Sequence, residues 1–474
     1  MASVQEGSWG DLLGGRNLFF AIALSGGVAL HAINIYIATT VLPSVVNEIG
    51  GLELYAWNTT LFVVASILGS ALTARLLSLT GPRKAYSVAA LLFIAGSLIC
   101  ALAQTMPVML AGRTLQGIGG GFLFALCYAM IYAVFDEKLW PRAMALISGM
   151  WGVATLLGPA AGGIFAEMNA WRAAFGILVP LTLVYILLVW LVFPAHKRAT
   201  AVAAGKLPLI QLLLLVAAVM AVSTGSMSSD VKANITGISV AALLILLLIR
   251  QEFVSETRLL PRDALRLNSP LLALYITMGL LIIGMTSETF IPYFLQILHG
   301  QTPLISGYLA ALMAAGWTVS EIWSSGWQDR GVKRAIGIGP VLVLVGMVLL
   351  AFITPRSAGG DWRVLSLIGL GLTLVGFGIG LGWPHLLTRI LQIAPADDQD
   401  AAATSITTVQ LFATALGSAI AGVLANAGGL SEPGGTQGAS SAAWLLFAVM
   451  AAAPLLSLLS AKKVISALNN STAG

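Results

Sequence analysis

The run Pro107–Val134 reads PVMLAGRTLQGIGGGFLFALCYAMIYAV. It is apolar for longer than the roughly 20 residues needed to cross a bilayer, yet it contains an arginine and a cluster of glycines. A charge at that depth is expensive in lipid and should face the interior of a helix bundle. Arg113, Gln116, Gly117 and Gly120 fall on one helical face, where the glycines would let a neighbouring helix approach closely. Arg113 is the only basic residue buried in any apolar run, which points to a task beyond packing.

Composition extends this reading to the whole chain. Of 474 residues, 58% are hydrophobic and 9% charged, against roughly 45–50% and about 25% in soluble proteins. So few charges could not cover a soluble globule of this size, which excludes a soluble enzyme, a disordered protein and a disulfide scaffold. The net charge of +5 does not indicate nucleic acid, because the bases sit in short loops between apolar runs. Cys100 and Cys127 lie inside apolar runs, so neither a disulfide framework nor a thiolate metal site is expected. His31, His196, His299 and His385 are scattered without metal-ligand spacing. No metal and no organic cofactor is expected.

Fourteen apolar runs can be marked, at about 17–41, 55–78, 85–104, 107–134, 142–166, 173–195, 207–226, 233–250, 271–297, 304–326, 335–354, 364–385, 401–425 and 441–461. The eighth carries Asn234, Thr236 and Ser239 and is the weakest. The first is too long for a signal peptide and lacks a small-residue cleavage site. With alternating spans, Arg172, Lys232, Arg356 and Arg363 fall on one face and Arg113 inside a span. The other 19 of the 24 bases flank the opposite face. That asymmetry predicts both termini in the cytoplasm. The order is six spans, two spans and six spans. It predicts an all-α membrane fold with an N-terminal half over 1–196, an inserted pair with a polar linker over 197–268, and a C-terminal half over 269–474. The loops GPRKA (Gly81–Ala85) and GVKRA (Gly331–Ala335) recur after the second span of each half, as in transporters built from related repeats.

The fifth span contains Gly158-Pro159-Ala160-Ala161-Gly162-Gly163. Ala154, Gly158 and Gly162 form a close-packing stripe, and Pro159 removes a backbone donor. Together with Arg113–Gly121 this string resembles the major facilitator superfamily: the first segment looks like its fourth-helix motif, the second like its fifth-helix antiporter motif. Trp171-Arg172 with Phe175 and Pro180 is similar to the start of the sixth helix in drug:proton antiporters. With fourteen spans, the resemblance is to the fourteen-helix drug:proton antiporter family, over almost the whole chain. It implies a major facilitator fold, alternating access and export driven by a proton gradient. Gly81, Arg83 and Lys84 match the family's loop motif, but Ser78 stands where an acidic residue is usual. Asp329 lies one position off register in the second copy. Pro43 matches a first-helix proline, but Asn34 stands where the family commonly has aspartate.

Of the 19 acidic residues, only Glu288 and Glu321 sit inside spans. Glu288 lies deep enough that ionisation is costly and proton binding natural. Pro292, four residues on, would free the Glu288 carbonyl from its helical partner. A permanently protonated or ion-paired structural glutamate remains the alternative. Glu321 lies near the Arg330–Arg334 loop and suits a gate. His31 and Asn34 form a polar stripe with Gly27 and Ala38, and His31 could take a proton. Trp57, Asn58, Gln116, Trp151, Tyr293, Phe294, Trp317 and Gln410, with Asn34, are possible cavity liners, since aromatic faces suit cationic or amphiphilic compounds. Each alone is more often packing. The reading is a monomeric inner-membrane antiporter exchanging protons for amphiphilic or cationic compounds, with Glu288, His31 and Arg113 in proton coupling. A dedicated exporter of one metabolite, siderophore or lipid-like molecule is the second reading, and a non-transporting membrane receptor or scaffold the third.

Overall fold

The structure, a computed structural model, describes residues 8–193, 207–227, 231–395 and 398–471. The basic stretch His196–Lys206 falls outside them. The described chain is helical, and its main elements are α1 (Gly15–Ile49), α2 (Trp57–Ala101), α3 (Met106–Val134), α4 (Trp140–Glu167), α5 (Trp171–Val192), α6 (Leu209–Gly225) and α7 (Val231–Val254). They continue with α8 (Pro270–His299), α9 (Pro303–Ser324), α10 (Arg330–Ile353), α11 (Trp362–Ile393), α12 (Gln399–Ala427) and α13 (Gly435–Asn469).

Twelve of these, all but α6, are long and apolar enough to cross a membrane, against the fourteen runs marked in the sequence. Two local features account for the difference. The second and third runs are joined in α2, because only Gly81 leaves helical geometry (φ 76°, ψ 167°) before Pro82 restarts it. The seventh run forms α6, which has 17 residues. The eighth run, the most polar, does form a full-length helix. Leu181, Val184, Leu187 and Leu191 on α5 are exposed, as expected of a face covered by lipid tails rather than water.

The helices pack as two compact units. One holds residues up to Gly50 and Leu61–Leu207; the other holds Gly51–Thr60 and the chain from Pro208 onward. In the first, α3 is wedged into α2 by its glycines. A Cβ at Gly117 would stand 2.3 Å from the Phe62 carbonyl oxygen, one at Gly121 2.2 Å from that of Ser66, and one at Gly119 2.6 Å from the Phe93 nitrogen. Ser66 and Ser70 hydroxyls donate across this seam to the carbonyls of Gly117 and Gly121, each at 3.1 Å. The α4 glycines play the same part against α1, Gly158 against Tyr36 and Gly162 against Ile37 and Thr40. The second unit repeats the device. On α11, Gly376 and Gly380 meet the α9 backbone at Met313 and Trp317, while Gly378 meets α10 at Gly339. In each unit, then, a glycine-rich helix packs closely on the backbone of helices that precede it. α6 and α7 pair through Gly237 and Gly225, and α6 lies against α12 within the second unit.

Candidate functional site

Arg113 is 2% exposed. Its guanidinium donates to Gln116 Oε1 at 2.8 Å and lies 4.2 Å from the Phe62 ring centroid. Gln116 Nε2 in turn donates to Ser97 Oγ at 2.8 Å. Gln116 is fully buried, so it does not wall a cavity as expected; the i, i+3 spacing on α3 makes it the partner that orients Arg113. One turn further along α3, Gly120 leaves room for His31, whose Nδ1 would be 2.7 Å from a Cβ there. The buried imidazole sits among Phe62, Phe124 and Trp151, with centroids 5.3, 5.4 and 6.2 Å away, and its Nδ1 has no hydrogen-bond partner. Asn34, also buried, has neither amide atom partnered. The polar stripe on α1 is thus turned into the protein, and Trp151 of α4 belongs to the same cluster as His31.

In the second unit α8 is not one continuous α-helix. It changes to a 3-10 turn over Thr286–Phe290 and resumes at Ile291–His299. Such a mid-helix turn is often a functional hinge, and it carries Glu288. Pro292 does not leave the Glu288 carbonyl open as expected: the Ile291 N–H takes it, because the shorter i+3 pairing absorbs the missing donor. The Glu288 carboxyl is partly buried and makes no hydrogen bond or ion pair among the described residues. Tyr293 is nearly buried beside Tyr55. Phe294 is fully buried between Phe290 and Phe447, which makes it core rather than a cavity liner.

Trp57 and Asn58 pack with the second unit, and the Trp57 indole N–H is taken by the Ser223 carbonyl. Trp317 stacks edge-on with Trp383 at 4.9 Å and donates to Glu321 Oε2 at 2.9 Å. Glu321 therefore meets its own helix, four residues back, and no ion pair joins it to the Arg330–Arg334 loop among the described residues. Gln410 is partly buried on α12. Asp329 precedes α10 with a positive φ of 43° and lines a polar hollow of about 290 Å³ with Trp327, His385 and Arg389. Arg83 lies 3.9 Å over the Trp190 ring, Lys84 is exposed, and Ser78 is exposed with its hydroxyl on the Arg75 carbonyl. The Trp171-Arg172 pair grips Glu48: both side chains reach its carboxylate, and Arg172 also donates to the Ala103 carbonyl at 2.9 Å.

Sequence reading missed Ser97, Tyr55 and Asn426. Ser97 and Asn426 are single polar residues in apolar runs, with nothing to show what they would meet. Tyr55 lies at a loop boundary, where an aromatic ring ordinarily reads as an interface anchor.

Twelve helices long and apolar enough to cross a membrane, packed through glycine seams around a buried arginine, define a multi-pass membrane protein. Residues 24–418 match the family model described as Major Facilitator Superfamily, and the chain belongs to that superfamily. It is 37% identical over 463 residues to a probable multidrug-efflux transporter of Mycobacterium tuberculosis, covering 95% of this chain and 96% of the relative. Multidrug resistance protein 3 of Bacillus subtilis is 25% identical over 78% of this chain and 72% of its own. Among solved structures, a bacterial homologue of the human lysosomal transporter Spinster aligns with a TM-score of 0.64 at 15% identity, over 98% of both chains. The xylose transporter XylE of E. coli aligns at 0.61 and 13% identity, over 92% of this chain and 94% of its own. At those identities the likeness is one of fold.

Proposed function

We propose that this protein is a proton-coupled antiporter that exports amphiphilic or cationic organic compounds from the cytoplasm by alternating access. The near full-length similarity to a probable multidrug-efflux transporter carries this reading. The chain acts as a monomer in the inner membrane, with both termini cytoplasmic, as the loop charges favour. It has fourteen spans: Gly81 divides α2 into two, and α6 with α7 forms a pair added to the twelve-span core. Glu288 is the proton carrier. Its support is position, since it is a partly buried carboxyl without an ion pair, in a helix that has left α geometry. His31 and Arg113 serve coupling in the first unit, His31 in its aromatic cluster and Arg113 held by Gln116. The aromatic rings of Trp151, Tyr293 and Trp317 offer faces for cationic substrates.

Purified protein in proteoliposomes under an imposed pH gradient, with a panel of fluorescent cations, tests the reading. Glu288→Gln keeps size and hydrogen bonding but cannot titrate. It should bind substrate and lose gradient-driven transport, while Glu288→Asp keeps part of it. Wild-type flux with proton movement in Glu288→Gln would remove Glu288 from the mechanism.

A further inference from the structure

The 3-10 turn that carries Glu288 is gripped at both ends. At its start, Thr286 fits against Gly417 of α12, where a Cβ would be 2.5 Å from the threonine hydroxyl. At its end, the Phe290 ring is stacked on Tyr55, with centroids 4.9 Å apart and planes 24° from parallel. Tyr55 is 1% exposed and also meets Tyr293 edge-on at 5.6 Å.

Tyr55 does not come from a helix beside this turn. It belongs to the segment Gly51–Thr60, which three anchors hold in the second unit. The Asn426 amide of α12 donates both to the Glu53 carbonyl at 2.9 Å and to the Ser226 carbonyl at 2.8 Å. The Trp57 indole donates to the Ser223 carbonyl at 3.1 Å. Beneath them Gly422 admits Ala56, whose methyl would be 2.7 Å from a Cβ there. Ser223 and Ser226 lie at the C-terminal end of α6. One asparagine thus ties the segment, α6 and α12 into a single junction, and the junction presents Tyr55 to the turn.

We propose that Tyr55 is a positioning residue for Glu288. Its ring packs on the last residue of the 3-10 turn and so holds the turn on which the carboxyl is carried. α6 takes part by fixing the segment from which Tyr55 projects. The inference rests on Glu288 being the proton carrier and adds what sets its protonation. The titratable residues on the elements packed against the turn are Tyr275 earlier in α8, Tyr293 and His299 later in it, and Tyr55 and Glu53 in the segment. α13 carries none over Gly435–Met450, and α12 none beyond its first turn. Among the described residues of these elements, no hydrogen bond or ion pair joins any of these groups to the Glu288 carboxyl. The Tyr55 hydroxyl has no hydrogen-bond partner, so the ring and not the hydroxyl does the positioning.

The test reads Glu288 directly. A carbodiimide modifies carboxyls in their protonated form, and its attachment at Glu288 can be followed by peptide mass spectrometry as a function of pH in the full-length protein in liposomes. Tyr55→Ala loosens the turn that carries the carboxyl and should move the labelling midpoint to lower pH, because better hydration favours the charged form. Tyr55→Phe should keep the wild-type midpoint. Asn426→Ala and Trp57→Phe release anchors and should shift it in the same direction by less, and they carry the test if Tyr55→Ala does not fold. Unchanged midpoints in the anchor variants and Tyr55→Ala overturn the proposal, as does a Tyr55→Phe shift equal to that of Tyr55→Ala. Failure of the underlying reading looks different: Glu288→Gln would still couple protons even though the labelling midpoints move.

Discussion

Replacing Gly121 by alanine should cost the first unit more than any gain in helix propensity returns. The new Cβ would lie 2.2 Å from the Ser66 carbonyl oxygen and 2.7 Å from its Cα. Both neighbours are backbone, so no side chain can swing aside, and α3 must part from α2 by about 1 Å. Overpacking of this kind costs about 1–3 kcal/mol. The separation also stretches the Ser70 and Ser66 hydrogen bonds across the seam, each worth about 0.6 kcal/mol or somewhat more in a membrane. Against this, alanine gains about 1 kcal/mol over glycine in a helix. The net loss is about 1–3 kcal/mol. Gly149 on α4 supplies the control: nothing lies within 4 Å of a Cβ there, so Gly149→Ala keeps the propensity gain alone. At roughly 2–4 °C per kcal/mol, thermal unfolding in detergent should place Gly121→Ala about 5 °C or more below Gly149→Ala. Equal melting temperatures would show that the seam is looser than its geometry and that the glycines on α3 are not needed for packing.

Gly120→Ala should behave differently from its neighbour, because its Cβ meets side chains and not backbone, the His31 ring at 2.7 Å and Phe62 Cζ at 3.5 Å; we expect transport to fall several-fold with a smaller drop in melting temperature than Gly121→Ala, as flux and unfolding assays on the same preparation would reveal. Arg113→Lys should lose most transport while remaining folded, since an ammonium cannot both bond Gln116 and lie flat on Phe62; wild-type flux would make the residue purely structural. Ser78→Asp restores the acidic residue usual in this loop of the family and should change the populations of open states seen by distance measurements between labels; unchanged populations would dismiss a latch there.

What the sequence disclosed followed depth and spacing. Arg113, Gln116 and the glycines of α3 were legible because a helical face can be drawn from residue numbers, and a charge in an apolar run must have a reason. The purpose of Gln116 was not, since spacing places it beside Arg113 but does not reveal that Ser97 already occupies its amide. Glu288 stood out by elimination among carboxylates, and Pro292 announced a disturbed helix. The residues that touch this 3-10 turn, Gly417 and Tyr55, are 129 and 233 residues from Glu288 and carry no mark of it in the sequence. The burial of Phe294 was not legible for the same reason: an aromatic ring in an apolar run looks alike in sequence whether it faces a cavity or a core. Twelve long apolar helices stand where fourteen runs were marked, because one glycine bends a helix that hydropathy divides and the seventh run forms a short helix.

The brevity of α6 links the protein to the thickness of its bilayer. Seventeen residues rise about 25 Å, while the hydrocarbon core measures about 30 Å. On the proposed fourteen-span topology, lipid must thin beside α6, or the helix must stand upright, at a cost of fractions of a kcal/mol per Å. Its C-terminal end is tied through Ser226 to Asn426 and the segment bearing Tyr55. A thicker bilayer would pull on that end, so acyl-chain length becomes a mechanical input to this unit, felt through the helix least able to match it.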